Sequence, residues 1–417
     1  MNVRSLLFLP LLTLCTCASA RASEETEPPQ TETPAPARAR RTILFQFDGL
    51  HYQAPEKLQL ENVLALAAEG TRVEEAVVII PWHPTTGEYG RHHLTSLPNP
   101  VTMSGTVLLT ESPKMIQQSF GGRFTAHIAN SRAYRSLDAG FTYSKLDPNL
   151  RDEHVLEEAR RVLTEEDPVF MRIVLQDTND RGGAPVALAR PGTPWKNNLY
   201  AEGSPFIKEA READALLGEF IEFLKSKNMW EDTLFILQAD GASVYGWHPI
   251  QFEDSERIPL IFHGPGIARG KVIPYAENID VTATIADFMG VAHPNPDGGS
   301  GRVLHELAPD VQAPEVPKYI KRFNAGVREY HRLLAHLVQE SPNHPRFDVA
   351  LMQLYNSYNG KKFFYGVDRI LEWKQTGSLE NLVNNNEATL ACIRGLIAEE
   401  ETPAGQQPSP PTPEGCW

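Results

Sequence analysis

The sequence predicts an α/β fold: a mostly parallel central sheet with helices on both faces, followed by a C-terminal helical appendage. Three observations predict it. Apolar runs bounded by turn residues recur at Thr42–Phe47, Val73–Ile80, Val169–Gln176, Thr233–Gln238 and Ile258–His263, the length and composition of strands buried on both faces. Segments of helical period alternate with them, as βαβ units require. Three of the runs lead into an aspartate, Asp48, Asp177 or Asp240, at the carboxyl end of a strand, which is the edge where open α/β sheets bind ligands.

The elements follow in order. Residues 1–20 read as a secretory signal peptide: Arg4 precedes the apolar Ser5–Leu14, and Ala18-Ser19-Ala20 is an A-x-A cleavage site. The stretch is too short to span a bilayer. Cys15 and Cys17 admit a lipoprotein anchor as the alternative, although Leu14 and Thr16 before them suit it poorly. Residues 21–40, rich in Glu, Thr, Pro and Ala, read as a disordered linker. The α/β domain is expected over 41–310. Its first strand, Thr42–Phe47, is followed by a helix over Leu58–Glu69 that stops at Gly70, then by Val73–Ile80. Pro81–Thr110 is a long loop with a short helix at its end. Arg151–Leu163 and Leu199–Lys227 are helices, the second with an apolar face running from Ile207 to Leu224. Residues 311–400 form a helical region with segments at Pro317–Leu337, Arg346–Tyr358 and Glu387–Ala398, and its aromatics, Phe323 and Tyr330 among them, are expected to pack against the main domain. Residues 401–417 are a Pro- and Glu-rich tail.

Composition bounds the function. The chain has 417 residues, enough for one large domain and an appendage. Its net charge of −14 argues against a nucleic-acid partner. No apolar stretch is long enough for a transmembrane helix. Removal of the leader leaves Cys392 and Cys416, which can pair in an oxidising compartment. Export to a periplasmic or extracellular space is therefore expected. Oligomeric state is open.

The residues themselves suggest a chemistry. Three carboxylates gathered at one sheet edge repel unless positive charge lies between them. Asp48, Asp177 and Asp240 thus call for a cation there. Carboxylate with imidazole suits Zn²⁺, or Mn²⁺ where oxygens dominate. His248 follows Asp240 at a spacing that lets its loop fold back over the edge. The plainer alternatives are an aspartate solvated in a turn and a loop histidine packed on Trp247.

Several motifs resemble the sulfatase and type I phosphodiesterase branch of the alkaline phosphatase superfamily. Ala239-Asp240-Gly241 ends a strand, the His248 loop follows, and Arg257-Ile258-Pro259-Leu260 and Gly264-Pro265-Gly266 complete the pattern. Gly241 stands where the family places His or Asn. Leu64–Gly70 (LALAAEG) resembles the end of its first helix, and Asp214 with Leu217-Gly218 a later, structural, helix motif. Val101-Thr102-Met103 with Leu109-Thr110 is the nearest match to its nucleophile segment, one residue short and with Glu111 for Gly. Thr85 and Thr86 are rivals, and Thr102 also suits a helix N-cap. Asp177 through Pro185 resembles the Asp-x-x-Gly-His-x-x-Gly-Pro motif with Arg181 in the His position. The resemblance covers roughly residues 41–307.

The resemblance implies a secreted metal-dependent hydrolase, or transferase, of small anionic esters, phosphoric ahead of sulfuric. Thr102 would be the nucleophile and Arg181 would stabilise the anion. Asp48, Asp177, Asp240 and His248 would be the metal ligands, His248 alternatively protonating the leaving oxygen. Each of the family's two metal sites has lost one imidazole. One divalent ion (Zn²⁺, Mn²⁺ or Ca²⁺) is therefore expected in place of two, or none. Gly49 after Asp48 and the absent Cys-x-Pro-x-Arg motif argue against a formylglycine sulfatase. The alternative is a catalytically inactive binding or structural protein of the same family.

Overall fold

The computed structural model describes residues 39–80, 115–249, 251–294, 301–340, 376 and 378–401, all within one compact unit beginning at Ala37. Thr102, with Thr85 and Thr86, lies outside them, as do the leader, the linker, Arg346–Tyr358 and the C-terminal tail.

The strands, in chain order, are β1 (Arg41–Phe47), β2 (Thr71–Val77), β3 (Thr125–Ala129), β4 (Tyr143–Leu146), β5 (Phe170–Leu175), β6 (Thr233–Ala239), β7 (Arg257–Ile258), β8 (Leu260–His263) and β9 (Lys271–Glu277). They form one sheet in the order β4-β3-β5-β1-β6-β8-β2-β7, with β9 also on β2. β4, β3, β5, β1 and β6 run parallel, and β8 is antiparallel to β6 and β2. β1, β5 and β6 are buried along their whole length, as strands covered on both faces must be.

The helices are α1 (Ala54–Leu58), α2 (Glu61–Glu69), α3 (Asp152–Glu166), α4 (Ala184–Leu188), α5 (Pro205–Ser226), α6 (Asp280–Met289), α7 (Tyr319–Glu340) and α8 (Glu380–Glu401). They flank both faces of the sheet. α5 covers the face carrying Phe45, whose ring lies 5.7 Å from that of Phe220. Asp214 on α5 accepts the Asn62 and Val63 backbone amides at the start of α2, which satisfies donors a helix N-terminus leaves open. Its role is structural, as the motif suggested. α7 and α8 bury Phe323, Tyr330 and Ile393 in a second core with Val77, Ile79 and Tyr275.

The structure departs from the sequence expectations at several elements; the helix expected over Leu58–Glu69, for one, is α1 and α2 with a break at Gln59 and Leu60. The long strand read at Ile258–His263 is two, because Pro259 supplies no N–H to a ladder. β9 was not foreseen, since Pro274 in it reads as a break. Among the described residues it pairs with β2 alone, and an edge strand tolerates proline. β3 and β4 are too short to stand out between glycine-rich turns. Helix α5 starts at Pro205 and not Leu199, with Pro at its first turn.

Candidate functional site

β5, β1 and β6 are consecutive in the sheet and parallel, so the residues that follow them emerge at one rim. Those residues are Asp177, Asp48 and Asp240. The three aspartates are 5%, 3% and 0% exposed respectively.

Asp48 and Asp240 are the closest partners. After β1 the chain turns at Gly49 with φ +75°, and a Cβ there would lie 2.7 Å from the Asn179 Cβ. Only glycine makes that turn without strain. The turn aims the Gly49 amide at Asp240, whose Oδ1 accepts it at 2.6 Å. The Tyr134 hydroxyl donates to Asp48 Oδ2 and lies 3.0 Å from Gln176 Oε1. Asp48 Oδ1 is buried and accepts from no described N–H or hydroxyl group, and the Asp48 carboxyl lies within hydrogen-bonding reach of the Asp240 carboxyl. Burial, and then the charge of Asp240, hold the Asp48 carboxyl well above the usual carboxylate range, against the Tyr134 hydrogen bond. Such a pair needs a proton or a cation to be stable.

Asp177 is differently placed. Its Oδ2 accepts Arg151 Nε at 2.5 Å and its Oδ1 accepts Arg181 Nε at 3.0 Å. The Asp152 amide adds a weaker bond to Oδ2. Both oxygens are therefore engaged by guanidinium groups. Burial and the Asp177 charge push the neighbouring Asp152 carboxyl up to about 7. Arg181 lies on a π-turn, Thr178–Gly183, with its side chain 51% exposed. Asp180, exposed on the same turn, has its carboxyl raised by partial desolvation and by Asp177, and its charge also acts on Asp48. The π-turn thus couples the arginine cluster to the carboxylate pair.

Gly241 has φ +103°, and a Cβ there would meet the Ser255 carbonyl at 2.3 Å. The position has no room for the histidine or asparagine of the family pattern. The His248 loop is closed by Ser243 N–H to Trp247 O at 2.6 Å and by Gly246 N–H to Ser243 O. It lies against the π-turn: a Cβ on Gly246 would be 2.4 Å from the Gly183 carbonyl. His248 is half-buried, with its ring edge-on to Trp247 at 5.9 Å.

Four features of this rim were not read from the sequence. His51 is buried after β1, with Nδ1 accepting the Tyr200 hydroxyl at 2.8 Å and Nε2 facing Asp254 at 3.4 Å. Asp254 in turn accepts the Val244 amide, fastening the His248 loop to the β1 loop. Tyr134 contacts Asp48, Gln176 contacts Tyr134, and Arg151 contacts Asp177. Tyr134 and His51 carried no local pattern. Arg172 and His127, charged or polar residues inside apolar strands, did carry a signal, because such residues are buried only when paired.

Among the described residues no three His, Cys, Asp or Glu side chains converge as a ready metal cluster, and no helix is long and apolar enough to cross a membrane.

A sulfatase family model matches residues 112–291, the segment carrying Asp177, Arg181, Asp240 and His248. Over that segment the chain is sulfatase-like. A choline-sulfatase of Rhizobium meliloti (strain 1021) is 31% identical to this sulfatase-like chain over 146 residues, 34% of this chain and 27% of that protein. The match thus spans about a quarter of the curated relative's length. Among solved structures, an alkaline phosphatase superfamily protein from Vibrio parahaemolyticus aligns at 19% identity and TM-score 0.49, covering 66% of this chain and 72% of that one. A phosphonate monoester hydrolase from Silicibacter pomeroyi aligns at 16% and TM-score 0.48, covering 66% and 77%. Asp48 and Thr102 fall outside the sulfatase match.

Proposed function

We propose that this sulfatase-like chain is an exported, divalent-cation-dependent hydrolase, or transferase, of small anionic esters, phosphoric or sulfuric. The observation that carries the reading is the buried pair Asp48 and Asp240, held together by the Gly49 amide although their charges repel. The donor set fits a cation: carboxylate oxygens, one of them accepting from no described N–H or hydroxyl group. All-oxygen ligation favours Mn²⁺ or Ca²⁺ over Zn²⁺. Asp48 and Asp240 would hold one ion, with Thr102 near it. The ion, when bound, polarises an ester oxygen and lowers the pKa of a neighbouring hydroxyl.

The chain's own residues would divide the remaining work. The Thr102 hydroxyl would lose its proton to solvent as its oxygen attacks phosphorus or sulfur, and the ester's leaving oxygen would depart with a proton from His248. Neutral His248 would then take a proton from the water that attacks the threonine ester, and the Thr102 oxygen would regain one from solvent as its bond to phosphorus or sulfur breaks. Arg181, fixed by Asp177 and half-exposed, would face the non-bridging oxygens with a permanent charge. Asp177, whose oxygens are taken by Arg151 and Arg181, would serve to hold these arginines more than to ligate a second metal, and His248 is then freed for the proton role. Cys392 is disulfide-bonded, which supports export to an oxidising compartment.

The test is elemental analysis of the purified mature protein with hydrolysis of a panel of aryl phosphodiesters, phosphomonoesters and sulfate esters. A choline sulfate ester, suggested by the relative's name, belongs in it. We expect stoichiometric metal and a turnover lost in Thr102→Ala. A metal-free protein without turnover on any member would sink the reading. It would favour the inactive relative, for which the closed position at Gly241 and Arg181 in the histidine position speak.

A further inference from the structure

A chain of polar side chains crosses the sheet beneath Asp48. His127 on β3, Arg172 on β5 and Leu44 on β1 are register partners, and Gln46, two residues on, shares the face of Leu44. His127, Arg172 and Gln46 are all fully buried. Nothing in the strands TAHIA and FMRIVL requires a cation for folding. A buried ion pair replaced by well-packed apolar groups is often neutral or stabilising, so a guanidinium at this depth calls for a reason.

Its contacts supply one. Arg172 Nη2 donates to Gln46 Oε1 at 2.7 Å, and Nη1 donates to His127 Nε2 at 2.9 Å. Nε2 can accept only if His127 is neutral with its proton on Nδ1. Nδ1 lies 2.6 Å from Asp138 Oδ1 and so donates to it. Burial pushes the His127 imidazole down to about 4, in keeping with that neutral tautomer. The Asp138 carboxylate, whose Oδ2 accepts the Ser144 hydroxyl, is therefore the counter-ion of Arg172, reached through a neutral ring. On its other side the guanidinium lies 4.6 Å from the centroid of the Tyr134 ring, a cation–π contact in a dry site. The Tyr134 hydroxyl, fully buried, reaches Asp48 Oδ2. The polar chain thus runs from a partly exposed aspartate to the carboxylate pair.

We propose that Tyr134 is a positioning residue for Asp48, and that the Arg172 guanidinium, neutralised by Asp138 through His127, fixes the Tyr134 ring so that its hydroxyl occupies Asp48 Oδ2 and leaves Oδ1 as the ligating oxygen. This rests on the cation-binding reading of Asp48 and Asp240. The hydroxyl has one proton and two acceptors, Asp48 Oδ2 and Gln176 Oε1. Removing the hydroxyl and removing its rival acceptor must therefore act in opposite directions on Asp48.

The experiment is calorimetric titration of the full mature protein with Mn²⁺ alone, together with melting temperatures in chelator. Tyr134→Phe keeps the ring over Arg172 and is expected to bind Mn²⁺ at least tenfold more weakly, with its chelated melting temperature within a few degrees of the parent. Gln176→Leu, which leaves the hydroxyl to Asp48, is expected to bind Mn²⁺ at least as tightly as the parent. Equal affinity in parent and Tyr134→Phe, or a tenfold loss in Gln176→Leu, overturns the inference and leaves the cation site standing. A parent that binds no Mn²⁺ overturns both.

Discussion

The amide of Gly49 donates to Asp240 Oδ1 at 2.6 Å, so the turn after one strand serves the aspartate after its neighbour. That bond holds Asp240 in place beside Asp48. Asp48→Asn removes a carboxyl whose ionisation beside Asp240 is costly and keeps an oxygen for the Tyr134 hydroxyl. In chelator it should raise stability by about 1–2 kcal/mol, read as a melting temperature a few degrees above the parent's. In excess Mn²⁺ the order should reverse, because the variant forfeits the stabilisation that ligand binding gives. Thermal scans with and without Mn²⁺ check both signs.

Gly241 gives a second prediction. From the sequence alone it reads as a ligand lost, and restoring histidine would seem to restore the metal. The Ser255 carbonyl, 2.3 Å from any Cβ placed there, and the φ of +103° forbid it. Gly241→His should destabilise by about 3 kcal/mol or more through clash and backbone strain, and should bind no Zn²⁺ that the parent does not. Denaturant unfolding and a Zn²⁺ titration decide it.

The contrast shows what the sequence could carry. The apolar runs ending in Asp48, Asp177 and Asp240 announced the parallel strands and their shared rim, because burial on both faces leaves a continuous hydrophobic run. The same reasoning could not see what faces Gly241, since Ser255 is distant from it in any local pattern. Nor could it find Tyr134, a lone tyrosine in a short turn, or separate Asp177 from the other two aspartates. Arg151 and Arg181 make that distinction, and Arg151 stands in a different element from Asp177. Proline misled at β9, because only the topology reveals that, among the described residues, the strand pairs on one side alone.

The anchorage of the C-terminal helices predicts a pH dependence. Glu277, at the end of β9, accepts the Tyr275 hydroxyl and the Ile320 amide at the start of α7. Burial, and then the neighbouring Asp280, push its carboxyl from the ordinary 4.5 up to about 8. A raised acid binds its proton more tightly folded than unfolded. Its contribution is therefore fully present below about 4.5 and is lost as pH rises through about 8. Melting temperature should fall across that window, and Glu277→Gln, which cannot ionise, should flatten the fall. An unchanged slope in the variant would place the titration elsewhere.

Arg181 separates the active from the silent reading. Its side chain is 51% exposed and makes an ion pair with Asp177, i to i+4 along the π-turn, an arrangement worth little to stability at that exposure. Arg181→Gln should therefore leave the melting temperature within about 1 °C. If Arg181 opposes charge developing on the ester's oxygens, the same change should lower kcat by about 10²-fold, the scale of losing one preorganised donor. KM should move less, because the interaction strengthens only as charge develops. Asp177→Asn should reproduce part of the kcat loss by releasing the guanidinium, although Asp177 itself meets no substrate on this reading. A variant pair with unchanged kcat would remove Arg181 from the reaction.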